Sequence, residues 1–239
     1  MSVHQLVTRL PEIARVREIS QAIAMLDAIL CPDWTSRFFS YDVEWGPGEA
    51  LASMRNGAGD EYSIVFSDAG CCARGFDHES PLSPYRAQPV ALWPGLVESV
   101  PAALRPVVAE PAFTEADGTL LATVVLWREA QAPAWACGDV RLPGPEADGA
   151  DELFAVLADG RPQAYLEFAE EYYGRDLDLR PVQHCYHLRP LTRSVVTALN
   201  PDLEPADLEP DRRQIGYPAP VEEVGPETPR QSWWRWPLL

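Results

Sequence analysis

The chain contains no lysine: all nineteen positive side chains are arginine, against thirty-six carboxylates, for a formal net charge of −17. That absence removes enzyme classes that need a Schiff-base amine or a phosphate-loop lysine. The acidic balance excludes a general nucleic-acid binder, which needs a basic surface to displace counterions. Long hydrophobic runs are also missing. No stretch approaches the 18 or so apolar residues of a membrane span, and the N-terminus has no apolar core like that of a signal peptide. Cys31, Cys71, Cys72, Cys137 and Cys185 form no C-x-x-C pair. Adjacent Cys71 and Cys72 would point to opposite faces of a strand. A reduced, cytoplasmic chain with buried thiols is expected, with no cofactor and no metal site advertised by ligand spacing. No G-x-S-x-G elbow or third phosphate-loop glycine is present.

What is present is a core. Apolar residues make up 46% of the chain, too many for a disordered acidic protein. Charge is spread almost evenly over the two halves, so neither is an acidic tail. Solubility is the plain consequence; attraction of a basic protein partner is the sharper one.

From Pro11 to Leu30, Ile13, Val16, Ile19, Ile23, Leu26 and Leu30 recur at three- and four-residue steps, predicting an amphipathic helix that Pro32 stops. The period then changes. Residues 39–45 and 62–67 alternate, and 50–55 and 71–76 complete four short strands joined by Gly46-Pro47-Gly48, the 56–59 loop and Asp68-Ala69-Gly70. This predicts an antiparallel meander. The proline-rich 81–94 region reads as an ordered connection and 100–110 as a short helix. Segments 120–127, 135–142 and 153–157 read as further strands, and 143–151 as an acidic loop or boundary. Helices follow over Pro162–Tyr173, Pro181–Leu188 and Thr192–Leu199, with a further one opening at Pro205. The expected fold is therefore α+β: an antiparallel sheet flanked by an N-terminal helix and a C-terminal helical group. One domain would span residues 1–216, followed by a Pro/Trp-rich tail over 217–239.

Two places carry candidate chemistry. Antiparallel pairing of strands three and four would bring Asp60 and Glu61 beside Asp77, His78 and Glu79, with Arg55 and Asn56 nearby. A carboxylate beside His78 sets its tautomer and raises its pKa, the basic equipment of acid–base catalysis or metal ligation. The plainer alternative is that Asp60 and Asp77 cap turns and His78 bonds a backbone carbonyl. The second place is the tail, where Trp233, Trp234 and Trp236 flank Arg235 as a binding element, docked on the chain's own body, on a second copy or on another protein; a membrane interface ranks last, because the acidic body opposes an anionic surface, and no membrane partner is expected. His184 and His187 share a helical face but make only half a metal site.

The segments SMRNGAGDEYSIVFSDAG and GFDHESPLSPY resemble an uncharacterised bacterial protein family, with the likeness running from the first strand to Ile215–Pro218. The resemblance implies a soluble bacterial protein and carries over no catalytic role. With no complete catalytic motif, the leading expectation is a cytoplasmic binding protein that engages a basic partner, as an immunity or antitoxin protein engages a basic toxin. The alternative is an acid–base or metal-assisted enzyme using the Asp60 and His78 region.

Overall fold

The computed structural model describes residues 1–219. The two hydrophobic periods become the two layers of an α+β fold. Strands β1 (Phe39–Gly46), β2 (Glu49–Arg55), β3 (Glu61–Ser67), β4 (Gly70–Phe76), β5 (Val124–Glu129) and β6 (Ala136–Cys137) form one antiparallel sheet in chain order. Helices α1 (Val3–Arg9) and α2 (Ile13–Leu30) precede it. The single turn α3 (Arg105–Val108) lies between β4 and β5. After β6 come α4 (Ala150–Leu153), α5 (Ala155–Asp159), α6 (Pro162–Tyr173), α7 (Leu179–Tyr186), α8 (Arg193–Leu199) and α9 (Glu209–Ile215).

The three- and four-residue spacing of α2 puts Ile19, Ile23, Leu26 and Leu30 in the core, each almost fully buried. Each such side chain contributes about 1.5–3 kcal/mol. The helix begins at Ile13 rather than Pro11, and α1 precedes it. What holds α1 is remote in sequence: the buried Asp148 carboxylate accepts the Val3 N–H at 2.7 Å. The 143–151 stretch is thus neither a linker nor a free surface loop, since Asp148 and Ala150 are fully buried.

Phe39, Met54 and Tyr62 are in register across β1–β3 and face the helices. There Tyr62 stacks on Phe154, and Phe39 meets the Phe168 ring edge-on at 5.1 Å. The opposite face of β3 and β4 is buried as well, Ser63, Val65 and Cys72 included. The long β4–β5 connection helps cover this opposite face. Its Phe113 ring lies under the Arg74 guanidinium and stacks against Trp45.

Three expected strands are corrected. Residues 153–157 are helical, not extended: they have no strand to pair with, and Leu153, Phe154 and Leu157 instead bury their side chains from the turns of α4 and α5. The 135–142 strand shrinks to the two residues of β6. The expected 120–127 strand starts only at Val124, and the 100–110 helix reduces to one turn around Pro106. Tyr217, assigned to the tail, is a core residue; it is 1% exposed, and its hydroxyl donates to the Arg189 carbonyl at 2.8 Å.

Candidate functional site

The β3–β4 hairpin sets the site. Glu61 pairs with Phe76 in register, so the residues just beyond, Asp60 and Asp77, emerge together at one end of the sheet. The 56–60 loop is closed by Asn56. Its Oδ1 accepts the N–H groups of Ala58 and Asp60, and its Nδ2 donates to Asp60 Oδ2 at 2.6 Å. Asp60 Oδ1 takes both the backbone N–H and Nδ1 of His78, at 2.9 and 2.6 Å. Asp77 Oδ1 accepts the N–H groups of Glu79 and Ser80. One ligand atom from each of Asp60, Asp77 and His78 lies within 4.8 Å of the others, which is within reach of a single cation.

Electrostatics couple Asp60 and His78. Burial alone would raise the Asp60 carboxyl, but hydrogen bonds from His78 and Asn56 outweigh it and hold the group below its ordinary range. The hydrogen bond from Asp60 raises the His78 imidazole above its ordinary value, helped by the charges of Glu79 and Asp77.

Of the expected site residues, Asp60, Asp77, His78 and Asn56 are brought together. Glu79 is exposed at 3.9 Å from His78 Nε2. Glu61 is not part of the cluster. As the neighbour of Asp60 on a period-two strand it faces the other way, in an ion pair with Arg74 at 2.6 Å. Arg55 is committed to Trp34, stacked 4.2 Å from its ring and donating to its carbonyl. Trp233, Trp234 and Trp236 lie outside the described residues. His184 and His187 each bond a backbone carbonyl, of Pro190 and Gln183.

Burial disfavours the thiolate form of all five cysteines. Cys137 lies 3.4 Å from His4 Nδ1, a contact invisible in sequence, yet burial raises its pKa, and burial pushes Cys72 up to about 12.

Beside the cluster is a cleft of about 230 Å³ lined by Phe38, Met54, Asn56, Asp60, Asp77 and Glu152 among others. It shares Phe38, Glu152 and Leu153 with a neighbouring groove of about 360 Å³ that runs along α5 and α6. Sequence reading missed this groove. Its signal was the stripe of Tyr165, Phe168 and Tyr172 on α6, longer than the core needs: Tyr165 is buried, Phe168 half-buried and Tyr172 43% exposed.

No protein-family model matches the chain, and neither a curated protein nor a solved structure matches it. No helix among the described residues is long and apolar enough to cross a membrane.

Proposed function

We propose that this chain is a cytoplasmic protein-binding protein whose acidic surface engages a basic protein partner, in the manner of an immunity or antitoxin protein that neutralises a basic toxin. The observation that carries this reading is how the arginines are used. Arg37 and Arg74 are buried against Asp211 and Glu61, and Arg128, 9% exposed, pairs with Glu12. Arg161, Arg180 and Arg193 pair with Asp159, Asp178 and Glu204. Nine of the seventeen arginines among the described residues are ion-paired within the chain, and over the whole chain carboxylates outnumber arginines by seventeen, which leaves a net negative field. Such a field attracts a cationic partner and speeds its association in a salt-dependent way. The resemblance to a bacterial family adds a bacterial source to this reading. The test is calorimetric titration against the basic product of a neighbouring gene at low and high salt. Affinity that falls steeply with salt is expected; affinity indifferent to salt overturns the reading.

A second reading, an acid–base or metal-assisted enzyme, is favoured by one observation, the convergence of Asp60, Asp77 and His78. Metal analysis of the purified protein and of His78→Ala tests it. Bound divalent metal that disappears in the variant supports the enzyme. Unchanged metal content with a loss of stability alone leaves the cluster a structural clasp.

A further inference from the structure

We infer that the groove along α5 and α6 is where the basic partner docks, and that it takes an amphipathic segment presenting apolar side chains to the floor and arginine or lysine to the rim. The inference rests on the reading of an acidic, partner-binding protein and assigns that reading a place.

The floor is aromatic. Phe38 and Phe168 line it and pack on Tyr172, which lines the adjoining cleft, with ring centroids 4.6 to 5.4 Å apart. Leu153 and Val156 extend it. Phe38 and Phe168 are only half-buried and Tyr172 is exposed, so this cluster retains apolar area that the core does not use. The rim is acidic. Glu152, Glu167 and Glu171 line the groove, are exposed, and make no ion pair among the described residues. Asp60 and Asp77 continue the negative lining into the adjoining cleft. Asp159 also lines the groove and is paired with Arg161, but no arginine among the described residues lines either cavity.

This combination selects its ligand by chemistry. A purely apolar segment would leave the rim carboxylates facing it without partners, which is costly as water is excluded. A segment that is only cationic would leave the aromatic floor wet. A side chain with an apolar stem and a cationic head satisfies both: the stem lies on Phe38 and Phe168, and the head reaches the carboxylates and the face of Tyr172. Arginine is best suited, because its planar guanidinium can stack on a ring while bridging a carboxylate.

The test uses the full chain and a synthetic amphipathic peptide with leucine on one helical face and arginine on the other. Glu167→Arg combined with Glu171→Arg reverses the rim; both residues are exposed on α6, so the fold should be retained, which circular dichroism checks. Asp68→Arg with Glu129→Arg makes the same charge change at the far end of the sheet, where Gly70 pairs with Glu129. A peptide with serine in place of leucine keeps the charge and removes the apolar face. The rim variant should bind the first peptide about tenfold more weakly, the far variant within about twofold of the unmodified chain, and the serine peptide should bind weakly to all three. Equal losses in both variants would overturn the groove while leaving the acidic-surface reading intact. No salt-dependent binding by the unmodified chain would overturn both. Binding that emerges only when residues 220–239 are removed, or only on dissociation of a dimer, would assign the groove to the chain's own tail or to a second copy and overturn the partner.

Discussion

A single oxygen of Asp60, Oδ1, holds both the backbone N–H and the ring Nδ1 of His78. The two contacts fix the imidazole with its Nδ1–H toward the carboxylate and leave Nε2 outward, toward Glu79. The pKa shifts of the pair have opposite sign and act in different windows. Asp60, lowered from an ordinary 3.8, contributes stability that is complete above that value and lost as pH falls through its folded pKa. His78, raised from an ordinary 6.5, contributes stability that is complete below that value and lost as pH rises through its folded pKa. An NMR titration of His78 should show the raised pKa, and Asp60→Asn should return it toward the ordinary value. An unchanged titration in Asp60→Asn would mean the carboxylate does not control the ring.

Asp27 behaves differently. It is fully buried in α2, where its carboxylate accepts the N–H groups of Phe38 and Phe39 and the hydroxyl of Tyr165. Desolvation wins over these hydrogen bonds and raises its pKa to about 6. The folded chain therefore keeps a proton that the unfolded chain has released, and stability falls as pH rises from the ordinary 3.8 to about 6. The full loss is about 3 kcal/mol. Urea denaturation of Asp27→Asn across that window should lack this slope, read as the difference from the unmodified chain. Equal slopes would mean Asp27 ionises freely in the fold.

Gly149 is the tightest point beneath the site. Its φ is +76°, and a Cβ there would sit 2.5 Å from Asp77 Cβ and Oδ2. Gly149→Ala should cost about 2 kcal/mol or more, the left-handed backbone accounting for about 1–2 of it and the displaced Asp77 for the rest. Gly57→Ala supplies the control: its φ is +75° but nothing lies within 4 Å of its Cβ position. Thermal unfolding of the two variants should separate backbone strain from collision, and equal losses would remove Asp77 from the explanation.

The Glu61–Arg74 pair is asymmetric. Arg74 is 3% exposed, and its carboxylate partner is 42% exposed. Glu61→Gln should therefore cost about 2–3 kcal/mol, because it strands a buried guanidinium. Arg74→Met added to Glu61→Gln should recover most of that loss by removing the stranded charge. Chemical denaturation of the single and double variants measures both steps, and failure of the double to recover would locate the cost elsewhere.

Much of this fold is legible in local sequence, because local spacing decides it. The apolar steps of α2 and the alternation of β1 and β3 leave little choice of element. Asp68-Ala69-Gly70 fixes the register that brings Asp60 to Asp77. The same period-two rule should have separated Asp60 from Glu61, which lie on opposite faces of β3. What sequence hid depends on distant partners. Residues 153–157 have strand-like composition, but no neighbouring strand offers hydrogen bonds, so they coil onto the sheet. Helix α1 relies on Asp148, and nothing near Val3 announces it. The groove was hidden because an aromatic stripe looks the same whether it is wholly covered or only partly so.

The sheet also bears on how any partner can be recognised. Its order leaves β1 and β6 at the two edges. β6 offers two residues, and β1 breaks register between Asp42 and Gly46, with Gly216 at the end of α9 packed against Val43. Among the described residues, neither edge presents the long, flat row of free N–H and C=O groups that a peptide needs to join as an extra strand. Such edges disfavour strand addition by a partner, and with it the runaway pairing that turns longer edges into fibres. A molecule that binds this sheet layer is then better recognised through its side chains than through added backbone pairing.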